Sequence, residues 1–288
     1  MTATLIIARH VLQESVRRRV FAVVLLLTVL FLALFVLASV KAFGAPSQFQ
    51  IGPQNLIGPT QLTAATSVTL LSLGAFASLF LATVLAVFLT LGAIRGDAER
   101  GLLQPLVVRP LGRRELLLGR FAGAAAVCIV YIVGLYAAVL LIVHQTGGHW
   151  PDHIVGPGLA LVAAITILVA MSLLGSVFLS ATANGIAMFM LYGAGLVAGL
   201  LASIGATLGT QTVLTIAHDI EIALPFEGFY SAALHALGSN QTGFARVIVN
   251  IGPFGSSNAG STAFDFWGVF YLAVIAVVAT VGFERRDL

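Results

Sequence analysis

Six stretches of the chain, residues 20–40, 62–94, 121–143, 154–180, 185–206 and 266–283, contain no Asp, Glu, Lys or Arg. About 20 apolar residues suffice to cross a bilayer core as a helix, so each stretch predicts a transmembrane helix. The second is too long for one perpendicular crossing. Either it tilts, or its Thr- and Ser-rich start, Thr60 to Thr69, lies at the outer interface. Ahead of the first span, Leu5, Ala8, Leu12 and Val16 recur at helical spacing opposite His10, Gln13, Glu14 and Arg17. That stripe reads as a helix along the membrane surface over residues 1–19, or as a basic anchor that orients the first span.

The polar intervals differ in kind. Gly44 to Pro59 is a short, turn-rich outer loop. Ala181 to Asn184 alone separate the fourth and fifth runs, which predicts a tight inner turn. The fifth run carries Gly185, Gly193, Gly195, Gly199 and Gly205, and Gly195 to Gly199 has the small-xxx-small spacing of closely approaching helices. Its partner is either another helix of this chain or a second copy. Residues 207–265 form the longest outer-side segment. Within it, Leu224-Pro225-Phe226-Glu227 reads as a break, and the following GFYSAALHAL as an amphipathic helix resting at the outer interface.

Composition agrees with membrane insertion: 59% of residues are hydrophobic and 9% charged, against about 25% charged in soluble domains. The Lys and Arg positions set the orientation, because basic flanks stay in the cytoplasm. With both termini cytoplasmic, Arg9, Arg17, Arg18, Arg19, six arginines between residues 95 and 120, Arg285 and Arg286 lie inside, and Lys41 and Arg246 outside. The formal net charge of +3 therefore reflects topology, and a nucleic-acid partner is not expected. The first apolar run exceeds the roughly 7 to 15 residues of a signal-peptide core and is read as a retained span. Cys128, the single cysteine, lies inside the third span and reads as a small buried residue.

Candidate chemistry is sparse. His144, His149, Asp152 and His153 carry imidazole and carboxylate groups suited to transition metals, but their spacing matches no defined ligand motif, and no metal site is expected. His218 and His235 are further histidines of the outer side. Asn240-Gln241-Thr242 matches a glycosylation sequon. The spans contain no ionisable Asp, Glu, Lys, Arg or His of the kind that gradient-driven carriers use to bind a coupling ion. No Gly-Lys-Ser/Thr phosphate loop occurs, since the only lysine, Lys41, sits in Val-Lys-Ala. The chain is therefore not expected to be an enzyme, and energy for any transport would enter through loops on the inner side.

One such loop stands out. Residues 95–120, RGDAERGLLQPLVVRPLGRRELLLGR, hold six of the fourteen Lys and Arg residues between two long apolar stretches. Asp97-Ala98-Glu99-Arg100-Gly101-Leu102-Leu103, Pro105-Leu106 and then Pro110, Arg113, Glu115 and Gly119 at P-x-x-R-x-E-x-x-x-G-K/R spacing resemble the loop after the second span of ABC-2 type transporter permeases. The basic N-terminus and the terminal Phe283-Glu284-Arg285-Arg286-Asp287-Leu288 are similar to the ends of that family. The layout is nearest to the nitrous-oxide-reductase and copper-processing permeases.

The resemblance implies an all-α integral membrane protein: one permease domain over residues 1–288, with six transmembrane helices in a type V exporter-like bundle and an N-terminal interfacial helix. It implies a cell (inner) membrane of a bacterium or archaeon. It further implies pairing with a second permease, identical or different, and with separate ATP-binding cassette subunits that hold the ATP and magnesium. Residues 95–120 would be the coupling loop, through Arg95, Asp97, Glu99, Arg100, Gly101, Pro105, Pro110, Arg113, Arg114, Glu115 and Gly119. Asp97, Glu99 and Glu115 would pair with basic groups, and Arg113 and Arg114 with carboxylates or lipid phosphates. Gly101 and Pro105 would set bends between short helices. The uncharged passage suggests an apolar or amphiphilic substrate, or a conformational signal handed to an outer partner. Two other readings remain at this stage: a scaffold or sensor that recruits a cytoplasmic protein without ATP-driven motion, and a sodium-coupled carrier with neutral ligands.

Overall fold

The computed structural model describes residues 19–44, 59–91, 113–148, 150–239 and 260–285. The N-terminal stripe, residues 45–58 of the first outer loop, the sequon and island residues 95–112 lie outside the described residues. Eight helices follow one another: α1 (Arg19–Gly44), α2 (Pro59–Thr90), α3 (Arg113–Gly147), α4 (Val155–Phe178), α5 (Ala181–Leu208), α6 (Gln211–Ala223), α7 (Pro225–Gly238) and α8 (Thr262–Glu284). Six of them, all but α6 and α7, are long and apolar enough to cross a membrane. They coincide with the six predicted spans.

Two of the spans overshoot the whole bilayer. At about 1.5 Å per residue, the 32 residues of α2 and the 35 of α3 exceed the roughly 40–45 Å that includes the headgroup regions. In α3 the excess lies at its start, so Arg113 to Gly119, the last part of the charged island, form the opening turns of a helix and not a loop. In α2 the helix is continuous from Pro59. Hydroxyl residues inside the spans bond carbonyls of their own helix: Ser78 Oγ donates to Gly74 O at 2.7 Å, Thr83 Oγ1 to Leu79 O at 2.7 Å and Thr166 Oγ1 to Val162 O at 2.7 Å. Such back-bonding satisfies a hydroxyl where water is absent.

α4 is the central post. It packs on α2, α3, α5, α7 and α8, and its buried residues include Leu161, Ile165, Ile167, Leu168 and Val169. α1, α5 and α8 form the perimeter, with apolar side chains such as Leu26, Met190 and Phe266 largely exposed. That surface suits contact with lipid tails, which are as apolar as the side chains themselves. α1 is tied to α3 by a hydrogen bond between Thr28 Oγ1 and Tyr131 Oη and by the Phe43 ring lying over Gly147.

The bundle has two unlike ends. Thr90, Arg114, Phe178, Asn184 and Glu284 gather where the island leaves the helices, here called the island end. α6 and α7 belong to the opposite end. At the island end, the turn between α4 and α5 is shorter than the sequence suggests. It consists of Leu179 and Ser180, and Ala181 to Asn184 are already the first turn of α5, because Ser180 caps that helix by accepting from the Ala183 amide. Asn184 is thereby buried. Its Nδ2 donates to Ser172 O at 2.9 Å, beside a hydrogen bond of 2.6 Å between the Thr90 and Ser172 hydroxyls. α2, α4 and α5 are pinned together by this knot.

The opposite end holds the largest departure from expectation. The expected surface helix, α7, is enclosed by α2, α4, α5, α6 and α8. Phe226, Phe229, Tyr230, Ala233, Leu234 and Leu237 form its apolar face, but Glu227 and Ser231 on another face are buried too. The small residues of α5 permit this. A Cβ at Gly195 would stand 2.5 Å from Phe226 Cζ, and one at Gly199 would overlap the Glu227 carboxylate. The Gly195 to Gly199 spacing thus serves packing within the chain. Gly209, at φ 67°, ends α5 in the left-handed conformation that frees the chain to turn back, and Pro225 opens α7 at a position where a missing amide is harmless.

Candidate functional site

The island enters the bundle through the start of α3. Arg113 is its first residue, with a side chain outside the described ones. Arg114 Nε donates to Glu284 Oε1 at 2.8 Å, joining α3 to the end of α8. Both side chains are substantially exposed, so the pair fixes geometry and adds little stability. Beneath it a small apolar cluster of Leu117, Leu173, Val177, Ala279 and Phe283 binds α3, α4 and α8, and the Phe178 ring lies against Gly282. Glu115 is exposed in the first turn of α3, where a negative charge suits the helix dipole, while Gly119 is buried. Arg95, Asp97, Glu99, Arg100, Gly101, Pro105 and Pro110 lie outside the described residues. Of the expected coupling residues, then, Arg114, Glu115 and Gly119 are seen at one joint, and Glu284 is the partner that the island alone does not announce.

A second polar centre lies at the opposite end and has no counterpart in the sequence reading. Glu227 is 3% exposed. Its Oε1 accepts from Ser231 Oγ at 3.3 Å, whereas Oε2 has no hydrogen-bond partner among the described residues. The hydroxyls of Tyr192 and Tyr230, both buried, are likewise unpartnered, and both are close enough to feel the Glu227 charge. The Tyr192 ring stacks on Phe226 at 5.8 Å. α7 is not one of the six spans, and burial pushes the Glu227 carboxyl well above the ordinary carboxylate range. The Ser231 hydrogen bond opposes this shift and the charge of Glu221 adds to it.

Glu221 belongs to a neighbouring pocket of about 330 Å³, lined by Ala202, Leu214, Ala217, His218, Glu221 and Phe264 among others. His218 Nδ1 stands 3.9 Å from Glu221 Oε2 and is mostly exposed. Sequence pattern could not reveal this arrangement, because a Glu two residues after a helix-opening Pro reads as an ordinary acid at a helix N-terminus. The histidines expected on the outer side form no cluster among the described residues. His144 stacks on Trp150 with ring centroids 4.3 Å apart, His149 lies outside the described residues, and no group of three or more His, Cys, Asp or Glu is placed to hold a metal among the described residues. Cys128 is fully buried, as a small core residue.

Comparison with known proteins gives this architecture its context. Over 176 residues the chain is 30% identical to "Probable ABC transporter permease protein NosY" of Stutzerimonas stutzeri, covering 60% of this chain and 55% of that protein. Over 139 residues it is 32% identical to the protein of the same name from Pseudomonas aeruginosa, covering 47% of this chain and 44% of that one. The chain thus spans about half the length of the curated relatives it matches. The family described as ABC-2 family transporter protein matches residues 5–288. With six apolar spans and a match over nearly its whole length, the chain belongs to the ABC-2 family of transporter proteins and is a multi-pass membrane subunit of that class.

Proposed function

We propose that this chain is the permease subunit of an ATP-driven transporter. It forms the translocation pathway with a second permease copy and takes its energy from separate ATP-binding cassette subunits that carry the ATP and magnesium. Both termini and the 95–120 loop face the cytoplasm, the loop docks on the ATPase, and the assembly resides in a bacterial or archaeal inner membrane. The observation that carries this reading is the joint at the base of α3. Arg114, Leu117 and their partners fasten the end of the charged loop to α4 and α8, so a push on the loop is delivered to packed helices and not absorbed by a slack linker. The family match and the relatives' printed names as ABC transporter permeases support it.

The test is affinity purification in mild detergent, mass spectrometry of what copurifies, and an ATPase assay on the eluate. A stoichiometric P-loop ATPase is expected. Charge reversal at Glu99 or Glu115 should then uncouple hydrolysis from the membrane subunit without impairing insertion. A chain that purifies alone, or with a partner lacking a nucleotide site, overturns the reading in favour of a scaffold or a carrier.

A further inference from the structure

The Glu227 centre is unexplained by a permease that merely receives force from its island. α7 is surrounded by α2, α4, α5, α6 and α8, and none of these five helices contains a Lys or Arg. α2 and α4 bring no ionisable side chain at all. α5 brings Tyr192; α6 brings His218, Asp219 and Glu221; α7 itself adds Tyr230 and His235; and α8 carries Asp265 and Tyr271 on its first half. The charge acting on Glu227 from these helices is that of Glu221, which is negative. Among the described residues an ionised carboxylate enclosed this way has no countercharge and little exposure to solvent, a state costly enough that the group normally takes up a proton instead.

A neutral carboxyl suits the local hydrogen bonding as well. Among the described residues no donor reaches Oε2, and an ionised oxygen left without donors is costlier to bury than a protonated one. The other oxygen still accepts from Ser231. Titratable groups lie near it as well. Glu221 lines the pocket at the same end of the bundle, and its Oε1 would stand 2.6 Å from a Cβ on Gly228, the residue next to Glu227. His218, exposed to solvent at the pocket, completes a series of titratable groups leading inward.

We propose that Glu227 is a proton-binding site of this permease, loaded from solution at the end opposite the island through the pocket formed by His218 and Glu221. The reaction is a protonation: an O–H bond of a hydronium ion in solution breaks, leaving water, an O–H bond forms on the Glu227 carboxylate by way of the pocket, and the protonated carboxyl is what allows α7 to seat among the spans. Release of the proton leaves an uncompensated charge between α5 and α7 and favours their separation.

Infrared titration of the full-length protein in lipid bilayers tests this without any ATPase partner, so its failure is separable from failure of the permease reading. The expected result is a protonated-carboxyl carbonyl band that persists at neutral pH, shifts on transfer to D2O and is absent in Glu227→Gln. In Glu221→Gln the same band should titrate at lower pH, because the negative neighbour is gone. This second variant keeps the test decisive if Glu227→Gln does not fold. A wild-type protein with no such band at neutral pH, a band unchanged in Glu227→Gln, or a band that does not shift in D2O over hours overturns the proposal.

Discussion

The seating of α7 against α5 can be tested by a pair of substitutions that compete for one space. Phe226 is fully buried, stacked on Tyr192 and pressed on Gly195. In a soluble core, Phe→Ala costs about 3–5 kcal/mol, part of it the transfer of the ring from water and part the cavity left behind. Inside a membrane bundle the transfer part shrinks, because lipid is no worse a solvent for a phenyl ring than protein is. Lost packing dominates what remains, so Phe226→Ala should cost about 3 kcal/mol, at the low end of that range.

Gly195→Ala acts in the opposite sense on the same contact. Its Cβ would lie 2.5 Å from Phe226 Cζ, and the ring cannot retreat freely because it is fully buried. Overpacking of this kind costs about 1–3 kcal/mol. In the double variant the alanine methyl enters the space vacated by the ring, so the second cost should vanish. The two effects should fall short of additivity by about 1–3 kcal/mol, in the range of directly contacting residues. Denaturant unfolding of the four proteins in mixed micelles supplies the cycle. Additivity within about 0.5 kcal/mol would show that α5 and α7 are not in this contact, and would remove the basis for placing Glu227 between them.

Three further outcomes follow from the structure. Arg114→Glu should weaken the tie between α3 and α8, and Arg114→Glu with Glu284→Arg should restore it; cross-linking of cysteines introduced near the two helix ends reports both, and equal cross-linking in all three proteins would exclude the pair. Asn184→Ala should cost about 1–3 kcal/mol, since it removes the donor to Ser172 O from a buried site, as measured by denaturant unfolding. Finally, a raised carboxyl pKa in the folded state means that the unfolded chain ionises first as pH rises. The stabilisation from Glu227 is therefore full below the ordinary carboxylate pKa of about 4.3 and is lost as pH climbs to the higher folded value, at a rate of about 1.36 kcal/mol per pH unit. Glu227→Gln should flatten that slope in thermal unfolding measured across pH, and an unchanged slope would assign it to other groups.

The spans were legible because a helix in lipid must be apolar over its full crossing, a demand that leaves uninterrupted runs in the sequence. The resemblance carried by Pro110, Arg113, Glu115 and Gly119 was legible for a similar reason, since a fixed spacing of unlike residues stands out against an apolar background. Burial of α7 was not. Phe226, Glu227, Tyr230 and Ser231 look amphipathic when read as one helix, and amphipathicity normally means an interface between water and oil. What turns the polar face inward is the row of small residues on α5, Gly195 and Gly199, whose lack of side chains makes room for Phe226 and Glu227. Neither segment announces the other, because the match is one of shapes across helices and leaves no period in either. Glu284 was hidden similarly: its partner Arg114 is 170 residues away.

The two polar centres share a structural element, and that sharing limits how either end can move. α4 contributes Leu173 and Val177 to the cluster under the Arg114–Glu284 pair, and Ser172 to the knot with Thr90 and Asn184. About one and a half turns earlier, its Ile167 reaches the contact where Phe229 of α7 lies against Gly268 of α8. α8 likewise runs from that contact to Phe283 and Glu284 at the island end. Both helices are continuous between these points. A tightly packed interior does not deform by small continuous amounts, so a displacement imposed on α3 at the island end has to be accommodated by sliding along α4 and α8 as whole rods. The surfaces they would slide against at the other end are those that seat α7 and enclose Glu227. A protonated, neutral Glu227 can sit in such an enclosure through repeated shifts. An ionised one would oppose every closure, which is why the charge state of this one carboxyl should matter to a helix bundle driven from its far side.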